Sequence, residues 1–506
     1  MQLRTPDETA ALDPARPAVT MAGGGVLSYA DLRERSQAIA ARLRADGVEA
    51  GDAIAILLEN RPELLEATWA ARRSGLRYTT LSTRFTAAEV AHVLADSEAT
   101  ALVTSRAFAP LSDAALELIP ATPRRYLVDG ELPGFLDPLA PAAPAAELEG
   151  ADLLYSSGTT GRPKGVRTRL TEAPFGAAPD PIATLLGELW EFGEDTVYLC
   201  PAPLYHAGPL RFTMATHRFG GRAVVMERFD PLAMLELIER HRVTHVQMVP
   251  TMMVRLQKLS EAERRRYDTG SLRTLIHAAA PCPPEVKRAT IEWLGPLVHE
   301  YYSATENYLF TAIGPQAALE RPGSVGLPLL GTPHVVGAAG EELGPGEVGE
   351  IWSEGGAEFA YHRDPGKTAG SRDRRGWTTV GDVGYLDRDG YLFLTDRKAD
   401  MVITGGVNVY PVEVENVLVT HPQVLDCAVF GVPDPDLGEA VVALVQPRGE
   451  GGAALREELL ERCRERLSAV KCPRRLEFTE RLERLPTGKL QKRRLREEFA
   501  ARTATR

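Results

Sequence analysis

The stretch from Leu153 to Val166 narrows what this chain can be more than any other. It reads Leu153-Leu154-Tyr155-Ser156-Ser157-Gly158-Thr159-Thr160-Gly161-Arg162-Pro163-Lys164-Gly165-Val166, an apolar lead-in that empties into small hydroxyl residues, glycines and a lysine. Backbone N–H groups converge on an anion where no bulky side chain blocks them, so this composition suits a polyphosphate. A Walker-type loop needs glycine directly before its lysine and Ser or Thr directly after. Here Pro163 precedes Lys164 and Gly165 follows, so the stretch is a different device. Taken in isolation it also reads as an ordinary Gly/Ser/Thr-rich surface turn.

The rest of the chain supplies the context. At 506 residues it exceeds what one hydrophobic core supports, so at least two domains are expected. A capped helix is expected from Ser28, with Leu32, Ile39 and Leu43 at helical spacing up to Gly47. The run Ala53 to Leu58 reads as a strand covered on both faces, and a helix from Pro62 to Arg73 is ended by Gly75. Further strands are expected near 101–103, 197–199, 222–226, 245–249 and 275–278, a rhythm that implies parallel sheets with crossover helices. After about Gly349 the pattern turns to hairpins, with Asp387-Arg388-Asp389-Gly390 as a tight turn. Gly344 to Gly349 spells GxGxxG, but it neither follows a strand nor opens a helix, so it reads as a loop. Beyond Thr395 to Asp400 lies a compact segment with a glycine loop, helices near 412–419 and 454–467, and strands near 424–430 and 440–445.

Other motifs follow in order. They are Pro203-Leu204-Tyr205-His206-Ala207-Gly208, His277-Ala278-Ala279-Ala280-Pro281, Tyr301-Tyr302-Ser303-Ala304-Thr305-Glu306, Gly381-Asp382, Asp396-Arg397, Gly405-Gly406-Val407-Asn408 and Leu485-Pro486-Thr487-Gly488-Lys489. Together with the glycine stretch they resemble the adenylate-forming superfamily, which contains acyl-CoA synthetases, firefly luciferases and the adenylation domains of peptide synthetases. The resemblance covers nearly the whole chain. It implies an α/β fold: a large N-terminal domain, residues 1–396, with parallel-type sheets flanked by helices, and a small mobile α+β C-terminal domain, residues 397–506. It also implies an ATP-dependent acid:CoA ligase that forms an acyl-adenylate and then a thioester, using ATP, Mg²⁺ and coenzyme A, and Gly405 to Glu415 looks most like the medium or long chain, fatty-acid-activating acyl-CoA synthetases of bacteria.

By the same resemblance Ser156, Ser157, Gly158, Thr159, Thr160, Gly161 and Lys164 would cradle the phosphates. Tyr302 would stack on adenine beside Ala279 and Ser303, Thr305 would contact the α-phosphate, and Glu306 with Thr159 would hold Mg²⁺. Asp382 and Arg397 would bind the ribose hydroxyls, and His206, Ala278 and Ala280 would line the acyl pocket. Gly405 and Gly406 would open the path for coenzyme A after a domain rotation. Lys489 would bridge the two anions of the adenylation step, a contact whose loss costs on the order of 10² to 10³ in rate. Two residues past Arg397, where the family carries Asp or Lys as a hinge, this chain has Ala399 between Lys398 and Asp400, which leaves the pivot open. Ser303 stands where many relatives have glycine, and its hydroxymethyl group is expected to narrow the space beside the α-phosphate. The alternative chemistry keeps the adenylation, of a carboxylic acid or of nitrite, and passes it to a carrier-protein thiol or an amine.

Composition closes off other classes. A net charge of -11 opposes nucleic acid as principal partner. The basic cluster Lys489, Lys492, Arg493, Arg494 and Arg496 reads as a solvated helix face interleaved with Glu497 and Glu498. Five cysteines without CxxC spacing indicate neither a disulfide framework nor a zinc site. No apolar run approaches a membrane span and the N-terminal residues lack a signal-peptide core, so a cytoplasmic protein is expected. A homodimer is allowed for, since nothing in the sequence sets the oligomeric state.

Overall fold

The computed structural model describes residues 3–129, 147–156, 163–397, 400–484, 490 and 492–504. Two compact units emerge: Met1–Met248, Arg265–Leu275 and Glu358–Ala369 form one, and Val249–Arg264, Ile276–Ala357 and Gly370–Arg506 the other.

In the first unit, seven strands run in the order Ala360–Tyr361, Lys164–Arg167, Ala151–Ser156, Arg77–Thr80, Ala53–Leu57, Ala99–Thr104 and Arg124–Leu127. The last five are parallel neighbours and the first two are antiparallel additions at one edge. All five residues of Ala53–Leu57 are buried, as a strand covered by helices on both faces must be. The helix Tyr29–Ala45 begins with a reciprocal cap in which the Ser28 hydroxyl accepts from the Asp31 N–H and the Asp31 carboxylate accepts from the Ser28 N–H. A second group pairs His245–Met248 with Val197–Cys200, then Arg222–Val225, then Pro17–Met21, all parallel, and Val26–Ser28 closes it antiparallel.

The second unit pairs differently. Val298–Ser303, Phe310–Ile313, Ser324–Leu330, Leu392–Arg397, Asp382–Leu386, Gly349–Glu354 and Thr332–Val336 are neighbours in that order, every pair antiparallel. In this unit antiparallel pairing therefore starts about fifty residues before Gly349, where the sequence pattern placed the shift to hairpins. The reason is the link Ala304 to Leu309, too short to hold a crossover helix. The expected tight turn is present: the Asp387 carboxylate accepts from the N–H groups of Asp389 and Tyr391, and Gly390 takes φ +83°.

The same unit carries the C-terminal sheet, with Val407–Val409, Val402–Thr404, Gly438–Pro447 and Val424–Asp434 in order and Arg475–Phe478 parallel beside Gly438–Pro447. Helices Pro411–Val419 and Ala453–Arg466 supply Val414, Leu418, Leu459 and Cys463 to its core. Among the described residues no helix is long and apolar enough to cross a membrane.

Candidate active site

The polar centre of the second unit is a hairpin and a strand. Asp382 opens the strand Asp382–Leu386 and is the ladder partner of Arg397 on the returning strand, so the two expected ribose contacts share one rung. Asp382 is buried, and the hydroxyl of Tyr302 donates to its Oδ2 at 2.6 Å. A second hydroxyl, that of Tyr308, lies 2.5 Å from the Tyr302 oxygen. Burial, then the nearby Asp382 charge, pushes the Tyr302 hydroxyl well above its usual range and keeps it protonated.

Tyr302 is the penultimate residue of Val298–Ser303, and the chain turns after Ser303. The Asn307 N–H closes on the Ala304 carbonyl at 3.0 Å, with Asn307 at φ +52°, a conformation asparagine tolerates. Thr305 and Glu306 ride on this turn, Glu306 buried. The Ser303 hydroxyl donates across it to the Leu309 carbonyl at 3.0 Å, so the group expected to crowd a phosphate is committed to clasping the loop.

Beneath the same strand sits a buried charge. Glu300 pairs with Lys287 of the helix Pro284–Leu294, both side chains being about 5% exposed, and His277 Nδ1 lies 3.7 Å from Glu300. Burial holds the His277 imidazole well below its usual range, so it stays neutral beside the ion pair. His277 ends a strand, and the chain leaves it through Ala278, which is buried, and Ala279, which is exposed at φ +74°. A left-handed alanine costs roughly 1–2 kcal/mol relative to ordinary backbone and marks a turn the surroundings impose. Ala280 follows, half-buried.

The first unit holds the other candidates. Ser156 and Lys164 are ladder partners, so the glycine stretch is flanked by two paired strands, its stems. Ser157, Gly158, Thr159, Thr160 and Gly161 fall outside the described residues. Tyr155 donates to Asp96 at 2.6 Å and His92 Nε2 lies 3.0 Å from the Pro163 carbonyl, so the helix Ala87–Asp96 braces both stems. His206 caps the helix Ala207–Arg218, its ring 4.6 Å from that of Tyr205.

In the C-terminal segment Gly405 and Gly406 form the two-residue turn between Val402–Thr404 and Val407–Val409, at φ +57° and +80°. Both must be left-handed for such a hairpin, which explains the glycine pair. Lys489, Lys398 and Ala399 lie outside the described residues. The terminal basic cluster departs from a solvated face at Lys492 and, in part, at Arg496, which is half-buried and lies 3.7 Å from Glu439. Arg493 and Arg494 pair with Glu497 and Glu498 in the open, but Lys492 is buried and bonded to Glu415 at 3.0 Å, because its helix docks there.

The structure thus gathers Tyr302 and Asp382 at one point with the Arg397 backbone across the ladder, and Ser303, Thr305 and Glu306 on the adjoining turn. Tyr308, Glu300 and Lys287 escaped sequence reasoning, since the partners described above are six to twenty-three residues away and no local pattern marks them. Among the described residues no group of three or more His, Cys, Asp or Glu is gathered to hold a metal. A triphosphate-bound Mg²⁺ takes one or two protein carboxylates and fills its shell with phosphate oxygens and water, so Glu306 alone is a donor set that fits it.

Two family models match the chain: AMP-binding enzyme over residues 6–359, and the AMP-binding enzyme C-terminal domain over residues 413–489. The chain is an AMP-binding enzyme. A feruloyl-CoA synthase of Amycolatopsis sp is 36% identical to it over 486 residues, 94% of this chain and 95% of the relative. A 2-succinylbenzoate--CoA ligase of Bacillus licheniformis is 32% identical, covering 96% and 98%. Among solved structures, the amide bond synthetase McbA from Marinactinospora thermotolerans superposes with TM-score 0.80 at 30% identity, over 98% of this AMP-binding enzyme and 99% of that chain.

Proposed function

We propose that this AMP-binding enzyme is an ATP-dependent acid:CoA ligase of the AMP-forming kind, acting first on aryl carboxylic acids. The observation that carries the reading is the Tyr302 to Asp382 contact on the rung shared with Arg397, in a chain matched by both AMP-binding models. A carboxylate fixed by a buried hydroxyl accepts from a ribose diol, and the guanidinium of Arg397 would donate to the same sugar.

The chemistry runs in two steps. A carboxylate oxygen of the acid attacks the α-phosphorus of ATP, the bond to pyrophosphate breaks, and an acyl-adenylate forms. The thiol of coenzyme A, losing its proton, then attacks the acyl carbon and AMP leaves. In the first step two anions approach each other, so Lys489 supplies the bridging cation and Thr305 a hydroxyl to the α-phosphate. Mg²⁺, held by Glu306 and Thr159, would neutralise charge on the phosphates. Ser156 to Gly161 and Lys164 wrap those phosphates, Ala279 and Tyr302 frame adenine, and His206, Ala278 and Ala280 face the acid. We divide the chain at residues 1–396 and 397–506, a division supported by the separate family matches, and assign the Gly405-Gly406 turn to the thiol path after rotation. The aryl-acid preference draws on the feruloyl and succinylbenzoate relatives.

A second reading, transfer of the acyl group to an amine, is favoured by the likeness to an amide bond synthetase. Purified protein is mixed with ATP, Mg²⁺ and a panel of aryl acids, alkyl acids and nitrite, with coenzyme A or an amine. Pyrophosphate release and product mass are the readouts. Acid-dependent pyrophosphate release with an acyl-CoA mass is expected. Amide formation without any thioester, or nitrite consumption with AMP release and no need for coenzyme A, would overturn the ligase assignment.

A further inference from the structure

The Tyr302 hydroxyl has one proton, and two oxygens lie within 2.6 Å of it. A carboxylate offers only lone pairs, so that proton goes to Asp382 Oδ2. In the 2.5 Å contact with Tyr308 the Tyr302 oxygen is therefore the acceptor and Tyr308 the donor. The hydrogen bonds run one way, from Tyr308 to Tyr302 to Asp382. Each link polarises the next, and in a buried setting such chains strengthen cooperatively.

The origin of the chain is held rigidly. Tyr308 is fully buried. Its carbonyl oxygen is so close to two glycines that a Cβ added at Gly356 would lie 1.8 Å from it, and one at Gly331 2.9 Å. The loop on either side is fastened as well, by the Ser303 hydroxyl to the Leu309 carbonyl at 3.0 Å and by the Ala357 N–H to the Asn307 carbonyl at 3.1 Å.

We infer that Tyr308 is a positioning residue for nucleotide binding: through Tyr302 it fixes the orientation of the Asp382 carboxylate and so sets how strongly the site distinguishes a ribose from a deoxyribose. The inference rests on the reading of Asp382 as the ribose carboxylate. Tyr308 does not touch the sugar. Its effect is confined to ligands whose hydroxyls Asp382 would accept from, which separates it from a packing role.

The test is calorimetric binding of ATP, 2′-deoxyATP and 3′-deoxyATP to the full-length wild type, Tyr308→Phe and Tyr302→Phe, with melting temperatures recorded alongside. The phenylalanine variants keep the ring and remove only the hydroxyl. Wild type is expected to prefer ATP over both deoxy analogues. Tyr308→Phe is expected to weaken ATP about fivefold, the loss of one hydrogen bond's net effect, while the deoxy analogues weaken less, so the preference shrinks. Tyr302→Phe should shrink it further. If wild type discriminates and Tyr308→Phe discriminates equally, with or without a lower melting temperature, the inference is overturned while the ribose assignment stands. If wild type binds all three nucleotides alike, the ribose assignment of Asp382 falls and the inference with it.

Discussion

The two sheets at Ala53–Leu57 and at Val298–Ser303 solve opposite problems. The first is parallel, and its central strand buries five aliphatic side chains and nothing else. The second is antiparallel, and its strand Val298–Ser303 carries Glu300, Tyr301, Tyr302 and Ser303, every one of them spoken for by a hydrogen bond, an ion pair or a stacked ring. Burial without polar groups gives stability that tolerates no hole. Polar groups held in a low-dielectric setting give direction, and they lose function before they lose the fold. Stability and nucleotide recognition should therefore be separable by where a substitution falls.

The largest effect is expected from Ile56→Ala in the parallel sheet, where a cavity at a fully buried position costs about 4 kcal/mol. Chemical denaturation should report the loss, and the ATP to deoxyATP preference should stay at the wild-type value. A change in that preference would break the separation.

Glu66 sharpens the contrast, as a charge stranded in the unit of the parallel sheet. It is fully buried against Arg35 at 3.1 Å with Oε2 unpartnered, and burial raises its carboxyl to about 7. A carboxyl whose folded value lies above its unfolded one contributes stability below the unfolded value and loses it as pH rises through the folded one. Wild-type stability should thus decline from about pH 4.5 to about pH 7, by up to about 3 kcal/mol, and Glu66→Gln should flatten that slope. Denaturation midpoints across this window measure it, and an unchanged slope would count against the burial account.

On the recognition side, Asp382→Asn is expected to lower kcat/KM for ATP by about 10², or about 2.7 kcal/mol, with little change in melting temperature. Steady-state pyrophosphate release and a thermal scan test both halves. The smallest effect belongs to Gly406→Ala, which forces a methyl group into a left-handed turn residue with open space around it. That strain costs about 1 kcal/mol, and the thioester step should suffer more than pyrophosphate release. Equal slowing of both would detach the turn from the thiol path.

The same contrast governs what could be read from the sequence. The parallel half was legible because its information is local: an unbroken aliphatic run at Ala53 to Leu58, a capping pair at Ser28 and Asp31, proline and glycine at the ends of Pro62–Arg73. The hairpin at Asp387 to Gly390 was legible for the same reason. Arg77–Thr80 was not, since a buried arginine in a strand makes sense only once its guanidinium reaches the Thr168 carbonyl, ninety-one residues on. The site residues drew on motif resemblance, which named Tyr302 and Asp382 but could not supply Tyr308, whose hydroxyl contact no spacing encodes. The burial of Lys492 was hidden likewise, because its partner Glu415 sits on a helix far upstream.

Ala279 keeps a methyl group where its backbone favours none. Replacing it with glycine would release roughly 1–2 kcal/mol of native strain and give back about 0.4–1 kcal/mol through a floppier unfolded chain. The first is the larger, so glycine here would leave the fold ahead by roughly 0.6–1 kcal/mol. The corner nearest the expected acid and adenine is therefore a spot where inheritance can experiment with room for new substrates at no cost to the fold.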